Sequence, residues 1–370
     1  MKKTGNIGLI RRTRGLNQCT QKAWFIFLML AILMQGCGAV PNLWGDDQFP
    51  INNVATLFPT DTPTATLLPT ETNTPTLAPT ETPVNTLIPT EVSPAGKIKH
   101  VIIITYDGMR GDAVAAAPMP NLMSMMRDGA YTTTARTINY AVTLPGHASL
   151  FSGLCQSKHG VDWDVTTYYK GYSKGVDIFD EAHAAGLKTV MIVNKEKMRQ
   201  LAEPETTDVF RIVYGTEKVI MNSAIEEIAA GFDLMFIHFG SPDNRGHKYG
   251  WMSDAYLKAL RDGDAALGLL LPALDQYGIR DSTLIIVTSD HGGHDRGHVG
   301  TVIEDLLIPW VAYGPGVKAG QLANPVSIMD TGPTNAYALE LPFQAEWDGF
   351  PVYEAFGLPA PAIHGDKICR

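Results

Sequence analysis

The stretch VIIITYDG, residues 101–108, is a run of apolar side chains that ends directly in the carboxylate Asp107. A short, continuously apolar run is typical of a β-strand that is buried on both faces of a sheet. The chain repeats this arrangement in LMFIHFGSPD, residues 234–243, and in LIIVTSDHG, residues 284–292. In an open α/β sheet, ligands bind beyond the carboxyl ends of the strands. The pattern therefore predicts a sheet with an acidic site at one edge.

Predicted strands and helices alternate after residue 97. The apolar runs predict strands over residues 100–106, 188–193, 234–239, 284–288 and 310–313. Helical periodicity predicts helices over residues 120–127, 176–185, 217–230 and 253–274, the last with Ser253 as its N-cap. This alternation predicts an α/β fold, with a central, largely parallel sheet flanked by helices.

Residues 1–37 have the order of an export signal. The first 36 residues contain six basic side chains and no acidic one, and an apolar run over residues 23–34 precedes the sequence QGCG around Cys37. The run is too short to span a bilayer comfortably. The arrangement resembles a bacterial lipoprotein processing site, so we expect lipidation of Cys37 and attachment to a membrane surface. Simple cleavage of the signal and an uncleaved anchor are the alternatives.

Residues 38–96 are predicted to form a Thr/Pro-rich disordered stalk. The tetrapeptides LFPT, LLPT, LAPT and LIPT begin at residues 57, 67, 77 and 87, a period of ten residues. Proline at this density removes amide donors and prevents regular helix or sheet. The segment either lifts the rest of the chain off a surface or only separates two parts of it. Residues 97–370 are predicted to be one folded domain.

The charge of the chain argues against a nucleic-acid duplex as a partner. The formal net charge is −9, and without the first 36 residues 23 basic side chains face 38 acidic ones. Phosphate backbones are bound chiefly through Lys and Arg. An anionic substrate would therefore have to be attracted by local charge, such as that of bound metal ions.

Two cysteines, Cys155 and Cys369, fall in the predicted domain. The two cysteines could form a disulfide in an oxidising compartment. Their wide separation in sequence, however, gives no indication that the two sulfurs lie close together. A free, buried Cys155 is the favoured expectation. No Cys-x-x-Cys zinc motif is present in the sequence.

Histidines accompany the strand-end carboxylates. Asp243 and His247 are four residues apart, within reach of one ion, and Asp290 is followed directly by His291. Glycines then allow a tight turn before His298. Carboxylate and imidazole ligands together suit zinc or another borderline divalent ion rather than calcium. The sequence therefore predicts a metal centre.

A threonine stands where a nucleophile is needed. The sequence AVTLPGHASLFSG, residues 141–153, indicates a loop that leads into a helix, with Pro145 in the first turn and Gly153 at the end. Thr143 then lies at the helix N-terminus, where backbone amides favour an anion. It is predicted to be a metal-activated nucleophile, and a simple N-cap is the alternative. We expect His147 to pack or hydrogen-bond locally.

These motifs together resemble the alkaline phosphatase superfamily, and within it the type I phosphodiesterase and nucleotide pyrophosphatase family. The family combines an early strand-end Asp, a Thr in Thr-x-Pro-x-His, an Asp-x-x-x-His and an Asp-His-Gly, and all four occur here in that order. They stand at Asp107, Thr143, Asp243 with His247, and Asp290 with His291. The resemblance covers nearly all of residues 97–370 and implies an alkaline-phosphatase-like sandwich.

The resemblance implies two divalent metal ions, expected to be Zn²⁺. One ion would take Asp243, His247 and a third histidine, and the other would take the ligands Asp107, Asp290 and His291, with the Thr143 oxygen beside it. Some relatives place the third histidine near the C-terminus, where this chain has His364. We favour His298, because the segment before His364 lacks the Asn-rich context that such relatives have. His294 is a candidate outer partner.

One residue departs from the family pattern. Many relatives carry an Asn five residues after the His-Gly that follows the nucleophile helix, and its amide contacts a phosphoryl oxygen. Here that position is Asp164, which would repel phosphate unless it is protonated, turned away or paired with a cation such as Lys170. Asn194 and Lys195 are further polar candidates for substrate contact, although a surface loop is the favoured interpretation.

By this resemblance, the predicted reaction is hydrolysis of a small phosphate ester by in-line attack of Thr143 on phosphorus. Phosphodiesters are the leading substrate class. Phosphomonoester hydrolysis, phosphonate hydrolysis and phosphoethanolamine transfer share the same core. Sulfate-ester hydrolysis is disfavoured, because no Cys stands at the nucleophile position to become formylglycine. A binding module that keeps the fold without turnover is the rival from another class, and Asp164 is the feature that supports it.

Overall fold

The computed structural model describes residues 97–360, which form one β-sheet between two layers of helices. The predicted export signal, Cys37, the stalk and His364 lie outside these residues. The strands are β1 His100–Tyr106, β2 Ala130–Arg136, β3 Thr189–Val193, β4 Val209–Ile212, β5 Leu234–Phe239, β6 Thr283–Thr288, β7 Leu307–Tyr313 and β8 Gly320–Gln321. No helix within residues 97–360 combines the length and apolar character that crossing a membrane requires.

Eleven α-helices are found within the described residues. They are α1 Ala113–Ala116, α2 Pro120–Asp128, α3 Thr143–Ser152, α4 Gln156–His159, α5 Ile178–Ala184, α6 Glu217–Ala230, α7 Ser241–Tyr249, α8 Asp254–Leu267, α9 Leu270–Gln276, α10 Ile303–Leu306 and α11 Thr331–Ala338. Short 3₁₀ helices occur at Tyr168–Lys170, Glu196–Leu201, Arg280–Ser282, Ile328–Asp330 and Tyr353–Phe356.

The strands lie in the order β4-β3-β5-β1-β6-β7-β2-β8. The first five of these run parallel to one another, whereas β7 is antiparallel to both β6 and β2. The predicted α/β fold with a largely parallel central sheet is therefore confirmed. Because β5 and β6 pair with opposite edges of β1, the carboxyl ends of these three strands are adjacent.

Strand β1 shows why its sequence is continuously apolar. Ile103 pairs with Phe236 of β5 and Ile286 of β6, and all three side chains are fully buried. Val101 and Ile103 pack into the core beneath α3, α5 and α11, whereas Ile102 and the other even-numbered positions pack beneath α2, α6, α8 and α9. Because helices cover both faces of the strand, its sequence does not alternate between apolar and polar residues.

Several elements differ from the sequence-based expectations, among them strands β2, β4 and β8, none of which was predicted. Strand β2 contains three consecutive threonines, residues 132–134, and is only half buried, so it lacks a continuous apolar run. The helix expected over residues 253–274 is two helices, α8 and α9. Pro272 has no amide to donate to the carbonyl of Gly268, so helical hydrogen bonding is interrupted between them. Ser253 caps α8 as predicted, accepting from the Tyr256 amide.

The expectation of a free Cys155 is wrong. The sulfur of Cys155 takes part in a disulfide bond, and its side chain is only partly buried. The three other cysteines of the chain lie outside residues 97–360. Sequence separation alone was therefore a poor guide to whether this thiol is paired.

Candidate metal centre

Three carboxylates meet beyond the carboxyl ends of β5, β1 and β6. Asp107 directly follows β1, Asp290 lies two residues after β6, and Asp243 lies in the first turn of α7, which begins just after β5. All three side chains are buried, with at most 4% of their surface exposed. Buried carboxylates that converge in this way need cations or hydrogen-bond donors to remain ionised.

The first group of candidate ligands consists of Asp243, His247 and His298. Asp243 Oδ1 lies 3.2 Å from His247 Nε2 and 3.7 Å from His298 Nε2, and the two ring nitrogens are 3.1 Å apart. A tetrahedron with metal–ligand bonds of 2.0–2.1 Å has edges of about 3.3 Å. The three atoms therefore have the spacing of ligands that share one zinc ion.

The second group consists of Asp107, Asp290 and His291. His291 Nε2 lies 3.5 Å from Asp107 Oδ1 and 3.3 Å from Asp290 Oδ2, again close to a tetrahedral edge. The His291 ring stacks on the His298 ring of the first group, with centroids 3.8 Å apart. His291 also lies within ligand distance of Asp243 and His298. The two groups are thus neighbours in one centre.

Backbone carbonyls orient all three candidate histidine ligands. The Nδ1 atoms of His247, His291 and His298 lie 3.0, 2.8 and 2.7 Å from the carbonyl oxygens of Arg296, Gly292 and Ala141, respectively. A carbonyl only accepts, so each neutral ring carries its proton on Nδ1 and leaves Nε2 free as a ligand. Metal-binding histidines in proteins are oriented in this way.

Unsatisfied buried atoms mark the same positions. Four buried atoms find no hydrogen-bond partner within the described part of the chain: Asp107 Oδ1, Asp243 Oδ1, Asp290 Oδ2 and His291 Nε2. Such groups are rare in folded proteins and are costly when left alone. Each of these atoms belongs to one of the two candidate ligand groups. The residues present therefore fit two divalent ions, with nitrogen and oxygen ligands of the kind that zinc takes.

Helix α3 brings Thr143 to this centre. Thr143 is the first residue of the helix and is almost fully buried, and Gly153, at a φ of 65°, ends the helix as predicted. A Cβ atom on Gly146 would lie 2.9 Å from the Asp290 carbonyl oxygen, so only glycine allows the first turn to approach this closely. The first turn of α3 is therefore packed against the backbone of Asp290.

His147 supports the helix rather than providing an obvious ligand. Its Nδ1 lies 2.8 Å from the Thr143 carbonyl oxygen, and its Nε2 lies 2.9 Å from Thr105 Oγ1 on β1. The ring is completely buried, and burial lowers the pKa of His147 to about 4. This is the local hydrogen bonding that the sequence predicted. His294, the candidate outer partner, instead contacts Asp305 at 2.7 Å.

Three residues outside the predicted ligand set, Asn194, Lys195 and His238, support Asp107 and Asp243. Lys195 Nζ lies 2.7 Å from Asp107 Oδ2 and 2.6 Å from Asp243 Oδ2, and His238 Nε2 donates to Asp107 Oδ2 at 2.8 Å. Asn194 contacts the other ring nitrogen of His238. Asn194 and Lys195 lie in a loop as expected, but Lys195 is not a solvated surface residue, because only 14% of its side chain is exposed. A histidine inside the apolar run of β5 was the one available signal.

The pKa values of Asp107 and Asp290 are shifted in opposite directions. Burial raises the pKa of Asp290 to about 7, and the charge of Asp107 acts in the same direction. Burial also acts against ionised Asp107, but Lys195 and the hydrogen bond from His238 hold the pKa of Asp107 well below its usual range. For His298, burial lowers the pKa to about 4, so its ring is neutral at pH 7.

Asp164 lies at the N-terminus of α3. Its Oδ1 accepts from the Leu144 amide at 2.9 Å, and its Oδ2 lies 2.7 Å from Lys197 Nζ. The suggestion that Lys170 is its cation is wrong, because Lys170 pairs with Asp162. The Asp164 carboxylate is thus paired with Lys197 and hydrogen-bonded to Leu144, the residue that follows Thr143.

The chain is similar to known proteins in sequence. The model of the type I phosphodiesterase / nucleotide pyrophosphatase family matches residues 101–302, more than half of the chain. Over 214 residues the chain is 24% identical to the bis(5'-adenosyl)-triphosphatase enpp4 of Xenopus laevis, covering 52% of this chain and 46% of that protein. It is 26% identical over 232 residues to ectonucleotide pyrophosphatase/phosphodiesterase family member 7 of Mus musculus, covering 54% and 51%.

A solved structure agrees with the fold. Murine ectonucleotide pyrophosphatase/phosphodiesterase 5, as an inactive threonine-to-alanine variant in complex with AMP, superposes with a TM-score of 0.60 at 14% identity, covering 70% of this chain and 98% of that one. The chain spans about half the length of the curated relatives it matches. Because the family model matches the segment that carries all the motifs described above, the chain belongs to the type I phosphodiesterase / nucleotide pyrophosphatase family.

Proposed function

We propose that this protein is a metal-dependent phosphoric ester hydrolase that acts on small phosphodiesters or nucleotide-like pyrophosphates. The observation that carries the proposal is the pair of ligand groups with spacing close to tetrahedral, in which four buried ligand atoms have no hydrogen-bond partner among residues 97–360. Two ions about one helix N-terminus are the arrangement used for displacement at phosphorus. The family relationship supports the same reaction class.

Each half of the centre has a distinct set of proposed ligands. Asp243, His247 and His298 would hold one zinc ion. The other zinc ion would be held by Asp107, Asp290 and His291, with the oxygen of Thr143 as a further ligand. When bound, the two ions would neutralise charge on the phosphoryl group and on the leaving oxygen and would favour the deprotonated Thr143 hydroxyl.

The protein's own residues then perform the remaining steps. The Thr143 oxygen attacks phosphorus as the bond to the leaving oxygen breaks, which links Thr143 through a phosphodiester to the part of the substrate that stays on phosphorus. The leaving group takes up a proton and departs as an alcohol from a diester, or as a phosphate from a pyrophosphate. Water next cleaves the bond between the Thr143 oxygen and phosphorus, which releases a phosphomonoester and restores the Thr143 hydroxyl. His147 contributes by fixing the Thr143 carbonyl, and thereby the first turn of α3. The N-terminus of α3 favours the negative charge of the substrate.

We expect Thr143→Ala to lower kcat/KM for bis(4-nitrophenyl) phosphate by at least about a thousandfold, because the nucleophile is lost. Chelation should abolish wild-type turnover, and added zinc should restore it. The exposed position Thr134 provides a matched control, and Thr134→Ala should retain wild-type activity. Release of 4-nitrophenol, compared between the diester and 4-nitrophenyl phosphate, measures both activity and substrate class.

A different result would change the assignment. Faster release from the monoester would favour a phosphomonoesterase. Zinc-bound wild-type protein without turnover on any phosphoryl or sulfuryl ester would favour the binding module instead.

We also propose that Asp164 faces the substrate and that Lys197 offsets its charge. The Leu144 amide, which would otherwise be available to a phosphoryl oxygen, is taken by Asp164. The ion pair between Asp164 and Lys197 therefore determines how strongly the N-terminus of α3 repels an anionic substrate.

Asp164→Asn should raise kcat/KM for the diester about tenfold, because it removes a negative charge and leaves the Lys197 ammonium unpaired. Lys197→Met should lower it by a similar factor, because the carboxylate of Asp164 then stays uncompensated. Lys170→Met is the control, since Lys170 pairs with Asp162 instead. Steady-state kinetics of the three variants test this. Equal losses in Asp164→Asn and Lys197→Met would show that the pair acts only as a structural unit.

We further propose an extracytoplasmic protein that is attached to a membrane surface through a lipid on Cys37, with the Thr/Pro-rich segment as its spacer. The order of basic, apolar and QGCG segments supports export and lipidation. The murine relative is named as an ectonucleotide pyrophosphatase/phosphodiesterase, which agrees with function outside the cytoplasm.

Cys37→Ser should transfer the full-length protein from the detergent phase to the aqueous phase in a Triton X-114 partition of expressing bacteria, because an acyl chain supplies most of the membrane affinity. Cys19→Ser, in the predicted export signal before its apolar run, is the matched control. Equal partition of the wild type and Cys37→Ser would rule out the lipid anchor.

A further inference from the structure

Lys195 occupies a position that the metal-binding motifs do not include. It lies two residues beyond β3, the strand that pairs with β5 on the side away from β1. Only 14% of its side chain is exposed, and its ammonium lies 2.7 Å from Asp107 Oδ2 and 2.6 Å from Asp243 Oδ2. Because these carboxylates belong to different ligand groups, one ammonium links the two halves of the centre.

The ammonium contacts only the outer oxygens of the two carboxylates. The oxygens that lie near the histidine Nε2 atoms are Asp107 Oδ1 and Asp243 Oδ1, and neither has a hydrogen-bond partner between residues 97 and 360. Lys195 therefore leaves the ligand atoms available. Its position is compatible with ions bound on the inner side of both carboxylates.

The neighbouring residue in sequence reinforces the same arrangement. Asn194 contacts the ring of His238, and His238 donates to the outer oxygen of Asp107 that Lys195 also contacts. Two donors on Oδ2 fix the rotation of the Asp107 carboxylate, with Oδ1 held close to His291. A partner residue that orients a ligand in this way is a recurrent feature of metal sites.

The charge of Lys195 has two opposite consequences. Among residues 97–360, it is the only Lys or Arg that forms an ion pair with a candidate ligand carboxylate. Without metal ions, its charge offsets the repulsion between buried Asp107 and Asp243. With metal ions present, the same charge repels them.

We propose that Lys195 is a positioning residue that assembles the metal centre before any ion binds and lowers the affinity of the centre for divalent ions. It holds Asp107 and Asp243 at their ligand spacing in the metal-free protein and stays on their outer oxygens when ions are bound. This inference rests on the metal centre of the proposed function, but it does not depend on hydrolysis.

Thermal unfolding and zinc titration of the full-length chain, after removal of metal with EDTA, test this proposal. We expect Lys195→Met to lower the unfolding midpoint of the metal-free protein by about 10 °C, because two buried carboxylates lose their cation. At saturating zinc the difference from wild type should be much smaller. By linkage, zinc should then bind Lys195→Met at least about tenfold more tightly.

Two further variants separate charge from packing. Lys195→Arg restores the positive charge and should keep the metal-free midpoint within about 3 °C of wild type. Lys258→Met removes an exposed ion pair on α8 and should change neither the midpoint nor the zinc affinity.

Three results would overturn the proposal. One is an equal loss of stability with and without zinc in Lys195→Met, and another is an unchanged or weaker zinc affinity. The third is a loss in Lys195→Arg as large as that in Lys195→Met. None of these readouts requires turnover, whereas failure of the proposed function would appear as a zinc-loaded wild-type protein that hydrolyses no ester.

Discussion

The concentration of negative charge at the ends of β5, β1 and β6 governs the rest of this structure. Adjacent parallel strands bring Asp107, Asp243 and Asp290 to one edge of the sheet, where all three are buried. Such a cluster is unfavourable without counter-charge. The ammonium of Lys195 and the proposed pair of divalent ions answer the same requirement from opposite sides of the carboxylates.

The nucleophile helix depends on the same edge. His298, a candidate ligand, is hydrogen-bonded to the carbonyl of Ala141, two residues before Thr143, and Gly146 packs against the backbone of Asp290. Each half of the centre therefore contacts the segment that carries the nucleophile. Movement of α3 would disturb both ligand groups, and misplacement of either group would disturb α3. The proposed metal binding and the position of Thr143, the proposed nucleophile, would consequently be coupled through backbone contacts.

The sequence predicted those features of the fold and site that depend on local sequence pattern. Continuous apolar runs gave the buried strands, and their terminal carboxylates and nearby histidines gave the ligand groups that the structure brings together. It failed where partners come from distant segments. The Asn194-Lys195 pair has the composition of a solvated loop, yet it reaches Asp107 because β3 lies beside β5. Asp164 pairs with Lys197 rather than with Lys170, which is nearer in sequence. This pairing depends on the tertiary fold.

A crystal structure of zinc-loaded protein, with anomalous diffraction measured at the zinc edge, tests the central claim most directly. We predict two peaks, one about 2.0–2.3 Å from the ligand atoms of Asp243, His247 and His298 and one at the same distance from those of Asp107, Asp290 and His291. A single peak, or peaks bound by other residues while these ligand atoms stay empty, would contradict the account.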